Sequence, residues 1–154
     1  MRIPHILTAV GTSAAALMLT ATTATAVSSE VDLGTASPIP GGNSEICAEG
    51  GWYTGNDSHR TIACFMKSGD WFHVVDQDAD GYAAVALWQV QDARGTVVRQ
   101  GSVWNNSGYS THRYKNKDLP EGYDLSIRAC VGHWNGGNIS IVKEACSAWK
   151  EGTT

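Results

Sequence analysis

Residues 71–91 read WFHVVDQDADGYAAVALWQVQ. Two β-prone runs, 71–75 and 82–91, flank the pair Asp80-Gly81. Such a pair between such runs is a strong local hairpin signal, because glycine accepts the positive φ that a tight turn demands. The expectation is that the two runs are hairpin partners turned at Ala79-Asp80-Gly81. A calcium loop competes with it. Counted from Asp76, carboxylates stand at positions 1, 3 and 5 and glycine at 6, as in the opening of an EF-hand loop. Position 12 is Leu87, where a bidentate glutamate belongs, and the residues that follow read as strand rather than helix. The turn is therefore preferred. Asp76, Asp78 and Asp80 stand as the candidate ligands for weakly bound calcium, and no cofactor is otherwise expected.

Outward from this stretch the chain keeps the same texture. Short β-prone runs cover 61–66, 96–104, 109–114, 123–131 and 138–143, with a shorter one near 51–53. Between them lie Asp92-Ala93-Arg94-Gly95, Asn105-Asn106-Ser107-Gly108 and Asn135-Gly136-Gly137, rich in residues that tolerate positive φ. No helix is available to cross over between parallel strands, so the fold class is all-β, an antiparallel β-sandwich of about seven or eight strands. In the 123–131 run, alternation turns Tyr123, Leu125, Ile127, Ala129 and Val131 inward and Asp124, Ser126 and Arg128 outward. In the 82–91 run both faces are apolar: Ala83, Val85 and Leu87 on one, Tyr82, Ala84, Ala86, Trp88 and Val90 on the other. This is either a strand covered on both sides or one whose aromatic face is open to a ligand.

The first 26 residues, MRIPHILTAVGTSAAALMLTATTATA, have the order of a secretory signal peptide: a basic start, an apolar segment too short to span a bilayer comfortably, and small residues at Ala24 and Ala26. Cleavage is expected after Ala26, giving a secreted, extracellular protein with no membrane anchor. Residues 27–45, with much Ser, Gly and Pro and little to bury, read as a flexible leader, and 46–154 as a single domain. The net charge is −4, and no basic cluster is visible, which disfavours nucleic acid and anionic membranes as partners. Four cysteines in an exported chain imply two disulfides. Their spacing lacks the close pairs that zinc requires. Three connectivities are open; Cys47–Cys64 with Cys130–Cys146 is preferred, because each joins neighbouring segments, and closing loops of that size is worth ~3 kcal/mol.

Trp71-Phe72 before Asp80-Gly81, then Trp104-Asn105-Asn106-Ser107-Gly108 and Leu119-Pro120-Glu121-Gly122 ahead of the strand carrying Cys130, resemble a group of small secreted actinobacterial proteins of uncharacterised function. The resemblance covers most of the chain after the signal and implies a β-sandwich and an extracellular destination, with no activity attached. Relatives of that kind often carry a cysteine before the first aspartate and another before an arginine, where this chain has Val75 and His112. The resemblance thus implies a four-cysteine variant in which Val75 faces His112 across adjacent strands. The segment 119–129 also looks like the penultimate-strand region of fibronectin-like sandwiches.

Catalytic signatures are lacking. His59, His73, His112 and His133 show no HExxH spacing, and neither Ser107 nor Ser147 sits in a nucleophile elbow. Six tryptophans and five tyrosines are more than a small core usually takes. The function expected is a non-enzymatic binding module for extracellular polysaccharide or a cell-surface protein, with Tyr82, Trp88, Trp52 and Tyr53 as candidate ligand-binding residues and a groove over Ala84 and Ala86 between Tyr82 and Trp88. The alternative is an inhibitor of secreted hydrolases that presents the loop 48–63 closed by Cys47 and Cys64, an aromatic anchor for a partner's pocket.

Overall fold

The computed structural model describes residues 27–37, 46–51, 53–54, 57–58 and 60–154, without side chains over 52–59. The signal peptide expected over 1–26, residues 38–45 of the leader, Trp52 and His59 lie outside the described residues. The strands are β1 (Ser29–Leu33), β2 (Ile46–Gly50), β3 (Tyr53–Thr54), β4 (Asp57–Ser58), β5 (Thr61–Met66), β6 (Trp71–Asp76), β7 (Ala83–Gln91), β8 (Val97–Asn105), β9 (Thr111–Asn116), β10 (Asp124–Asn135), β11 (Asn138–Val142) and β12 (Lys150–Thr153). Among the described residues one 3₁₀ turn covers Lys143–Ala145.

They form two facing sheets and a small β3–β4 hairpin. One sheet runs β1-β8-β7-β10-β11, with β12 on the same edge of β10 as β11, and the other runs β2-β5-β6-β9. The expected all-β, disulfide-stabilised sandwich is the fold. Both disulfides have the expected pairing: Cys47 lies directly opposite Cys64 in the β2–β5 register with Cα atoms 4.1 Å apart, and Cys130 joins Cys146. Val75 pairs with His112 in the β6–β9 register.

The core lies between the sheets. Phe65 and Phe72 pack with ring centroids 5.2 Å apart, Phe72 and Trp88 at 5.4 Å, and around them Val74, Val90, Val103, Leu125, Ile127 and Ala129 are buried. The inward face read for 123–131 is therefore the core face. A second apolar cluster occupies the outer side of the larger sheet, where Ala83, Val85, Trp104 and Cys130 are covered with help from Trp134, Ile139, Ile141 and Cys146. The 82–91 run is thus covered on both sides. This corrects the open aromatic groove: Trp88 is 1% exposed and Ala84 and Ala86 are sealed by the facing sheet.

Two further expectations fail. Residues 71–91 are not a hairpin, because β6 has β5 and β9 on its two edges and β7 has β8 and β10. The Asp-Gly stretch instead carries the chain from one sheet to the other. Nor is 27–45 wholly a leader, for β1 lies inside it and pairs in parallel with β8. In SEVDL the pattern is inverted for a core strand: Val31 and Leu33 are exposed, while Glu30 and Asp32 turn toward cations. Glu30 pairs with Arg99 at 2.9 Å and with Lys117, and Asp32 with Lys115 at 2.8 Å and Lys117 at 2.6 Å. Beneath β1 the chain needs Gly101, since a Cβ there would lie 2.6 Å from the Glu30 carbonyl oxygen and 2.8 Å from the Trp88 ring. β12 is a polar segment with no apolar alternation to mark it as a strand; it exists because Asp124–Ile127 offers it a ladder edge.

Candidate functional site

At one end of the sandwich two connections cross between the sheets, residues 77–82 from β6 to β7 and residues 106–110 from β8 to β9. The first satisfies itself locally. Asp76 Oδ1 accepts the Asp78 amide at 3.1 Å, Asp78 Oδ1 the Ala79 amide at 3.1 Å, and Asp80 Oδ1 the Tyr82 amide at 2.8 Å. Short acidic side chains cap a turning backbone in this way, and Gly81 takes the positive φ of 79° that the bend requires.

The second is held from below. Asn105, the fully buried last residue of β8, donates from Nδ2 to the Val74 carbonyl at 3.2 Å and the Thr111 carbonyl at 2.9 Å. Its Oδ1 accepts from the Thr111 hydroxyl at 3.0 Å and the Ser107 amide at 3.2 Å. Ser110 N–H then donates to the Asp76 carbonyl at 2.9 Å, fastening one connection to the other. Tyr109, the residue before that bond, stays 62% exposed.

Between and beside these connections lie two adjoining cavities. One, of about 290 Å³, is lined by Asp76, Asp78, Tyr82, Asn106, Tyr109 and Trp134. The other, of about 500 Å³, is lined by Arg60, Ile62, His73, Gln77, Ser110 and His112. Asp76 and Tyr109 line both. The aromatic members are anchored, Tyr82 against the His133 ring at 4.5 Å and Trp134 against Trp104 at 5.5 Å.

Electrostatically the site is unsettled. Asp76 is 3% exposed, and burial, assisted by the charges of Asp80 and Asp78 against the Asp78 amide, pushes its carboxyl up to about 6. Among the described residues, Asp76 Oδ2, Gln77 Oε1 and Thr61 Oγ1 are buried without a hydrogen-bond partner. Thr61 faces Asp76 across the β5–β6 ladder, so at least two of these oxygens belong to one spot. On the outer face of the same sheet His73 Nε2 and His112 Nδ1 share a hydrogen bond of 2.9 Å, and the His73 ring stacks on Tyr114 at 4.5 Å. Burial and then His112 push the His73 imidazole down to about 4, so the ring is neutral near pH 7.

Of the residues named from sequence, Tyr82, Asp76 and Asp78 meet in the smaller cavity. Trp88 does not, since it is core. Tyr53 belongs to β3, and its side chain, like Trp52, lies outside the described residues. Among the described residues, no three His, Cys, Asp or Glu side chains gather as a metal cage, and the three loop aspartates each cap a backbone amide. Sequence reasoning does not single out Tyr109, which stands first in the expected 109–114 run, or Trp134. It also missed Asn105, taken for a turn residue, and the pairing of His73 with His112. The placement of Tyr109 directly after the Asn-Asn-Ser-Gly turn signal was the one clue to an aromatic held out at a loop tip.

The fold and this end define a disulfide-braced β-sandwich with an open, polar and aromatic double cleft. No known protein family, characterised protein or solved structure matches the chain. Among the described residues no helix is long and apolar enough to cross a membrane, and the two disulfides are bonds of an oxidising compartment.

Proposed function

We propose that the protein is a secreted, non-enzymatic binding module for a hydroxyl-rich ligand, an extracellular polysaccharide, taken into the double cleft at Tyr109. One observation carries the reading: Asp76 Oδ2 and Gln77 Oε1, buried acceptors without a hydrogen-bond partner among the described residues, belong to residues that line the cleft together with the exposed Tyr109. A buried acceptor left unmade costs about 1–3 kcal/mol, which a donor from a ligand would recover. Sugar hydroxyls are such donors. The apolar face of a pyranose ring is in turn a partner for Tyr109, Tyr82 or Trp134, an apolar surface joined to a few convergent polar groups being the usual make-up of a small-ligand site.

The proposed site keeps Tyr82 from the sequence reading and replaces Trp88 with Tyr109 and Trp134. Secretion is supported by the signal-like residues 1–26 and by the disulfides. The alternative, inhibition of a hydrolase by the loop 48–63, rests on side chains outside the described residues. Pull-down on insoluble glycans, followed by calorimetry with the oligosaccharides of any that bind, tests the proposal. Wild type is expected to bind, Tyr109→Ala to lose most of the affinity at unchanged thermal stability, and Trp149→Ala, whose ring lies against Arg128 and lines neither cavity, to bind as wild type. Binding that survives Tyr109→Ala, or no binding to any glycan alongside inhibition of a secreted hydrolase, overturns it.

A further inference from the structure

The larger cavity holds an arrangement that glycan binding does not use. His73 on β6 and His112 on β9 are diagonal neighbours on the outer face of the smaller sheet, where His73 pairs with Tyr114 and Val75 with His112. Their rings are nearly parallel, 20° apart with centroids at 5.2 Å, and the Tyr114 ring lies within 10° of parallel to His73. Strand register and stacking together hold both rings in place. The two nitrogens that face each other, His73 Nε2 and His112 Nδ1, are 2.9 Å apart.

That separation has a chemical meaning beyond a hydrogen bond. With metal–nitrogen bonds of about 2.0–2.1 Å, two nitrogens at a right angle in a tetragonal site are about 2.9 Å apart, whereas a tetrahedral site spreads them to about 3.3 Å. Imidazole nitrogens in a tetragonal arrangement suit copper(II) and nickel(II). Ser110, which carries a hydroxyl oxygen, lines the same cavity.

We infer that His73 and His112 form an open divalent transition-metal site, selective for copper(II), that completes its equatorial plane with water or a cavity oxygen. In the metal-free protein one ring lends its N–H to the other's lone pair. On loading, that proton moves to the far nitrogen of the same ring, both facing nitrogens present lone pairs, and the two rings turn about their χ2 bonds until those lone pairs converge on one ion. With two protein ligands the metal is exchangeable rather than structural, in contrast with the closed four-ligand sites that hold a fold together. The affinity order follows the general series, copper above nickel and zinc.

The test uses the purified protein, stripped with a chelator and titrated at pH 7.4 with copper(II) sulfate, nickel(II) and zinc(II) by calorimetry, with electron paramagnetic resonance of the copper-loaded sample. Copper should bind with one-to-one stoichiometry and show hyperfine splitting from two equatorial nitrogens. His73→Gln and His112→Gln should each weaken binding by about tenfold or more. His133→Gln, whose ring packs on Tyr82, should bind copper as wild type. Because His112 is exposed, its variant is expected to fold, and a thermal melt of each variant checks this. Tyr109→Ala should keep copper binding while losing glycan binding, so the two proposals fail separately. Absence of copper binding, zinc binding tighter than copper, or one-to-one binding that persists in the double variant His73→Gln/His112→Gln overturns the inference.

Discussion

The two connections at the cleft end do the same geometric job by different means. Residues 77–82 span from one sheet to the other with aspartates capping amides one or two positions away. Residues 106–110 make the reverse crossing, but their conformation is imposed by Asn105, which reaches across to the Val74 carbonyl 31 residues earlier in the chain. The first loop carries its instructions in its own composition. The second depends on a buried amide whose four hydrogen bonds exist only once both sheets have met. The proposed site draws on both, because the self-capped loop supplies Asp78 and the braced loop supplies Tyr109 to one cavity.

If the second loop is held by Asn105, then Asn105→Ala should cause the largest loss. It removes two donated bonds and leaves the Val74 and Thr111 carbonyls and the Ser107 amide short of partners in a buried spot, a cost of about 3 kcal/mol. Urea unfolding measures it. A change below about 1 kcal/mol would mean that the loop is braced by something else.

Asp76 ends β6 just before the first loop and is buried like the second loop's anchor, and its pH dependence separates the two roles. Its carboxyl is raised to about 6 from an ordinary value of 3.8. Between those values the folded state holds the proton more tightly than the unfolded state, so this group's contribution falls as pH rises through the window and stays low above it. Asp76→Asn keeps the acceptor for the Asp78 amide and abolishes the charge. It should therefore stabilise the protein on the order of 2 kcal/mol at pH 7.5 and hardly at all at pH 3.5. Thermal melts at the two pH values check this, and equal effects at both would show that Asp76 is not held with a raised pKa.

Gly81→Val tests the backbone of the self-capped loop. An added Cβ meets nothing within 4 Å, so the whole effect is the strain of a β-branched residue at φ of 79°. About 1–2 kcal/mol is expected, with or without calcium. The smallest effect belongs to Asp78→Asn, which retains a side-chain acceptor for the Ala79 amide. Its melting temperature should match wild type, and both should melt alike in chelator and in millimolar calcium. A calcium-dependent rise lost in Asp78→Asn would instead establish a native-state calcium site.

What could be read from the chain was whatever is encoded over a few residues. Alternation in 123–131 placed Leu125 and Ile127 in the core, because a strand's side chains change face at each step. Cysteine spacing led to both disulfides because their partners lie on neighbouring segments. Asp80-Gly81 marked a bend correctly, with glycine at positive φ, but could not say whether the bend returned to the same sheet. That choice is decided by which strands occupy the edges of β6 and β7, a property of the assembled sheets. The same limit explains β1, whose acidic residues look like a solvated leader until Arg99, Lys115 and Lys117, 69 to 87 residues away, come to face them. It also explains Trp88, an apolar strand residue that local pattern alone could assign to either face. The double cleft, with Asp76, Tyr109, His73 and His112 drawn from two strands and a loop, came from the tertiary structure alone, since no short-range rule relates residues that meet only when two sheets pack.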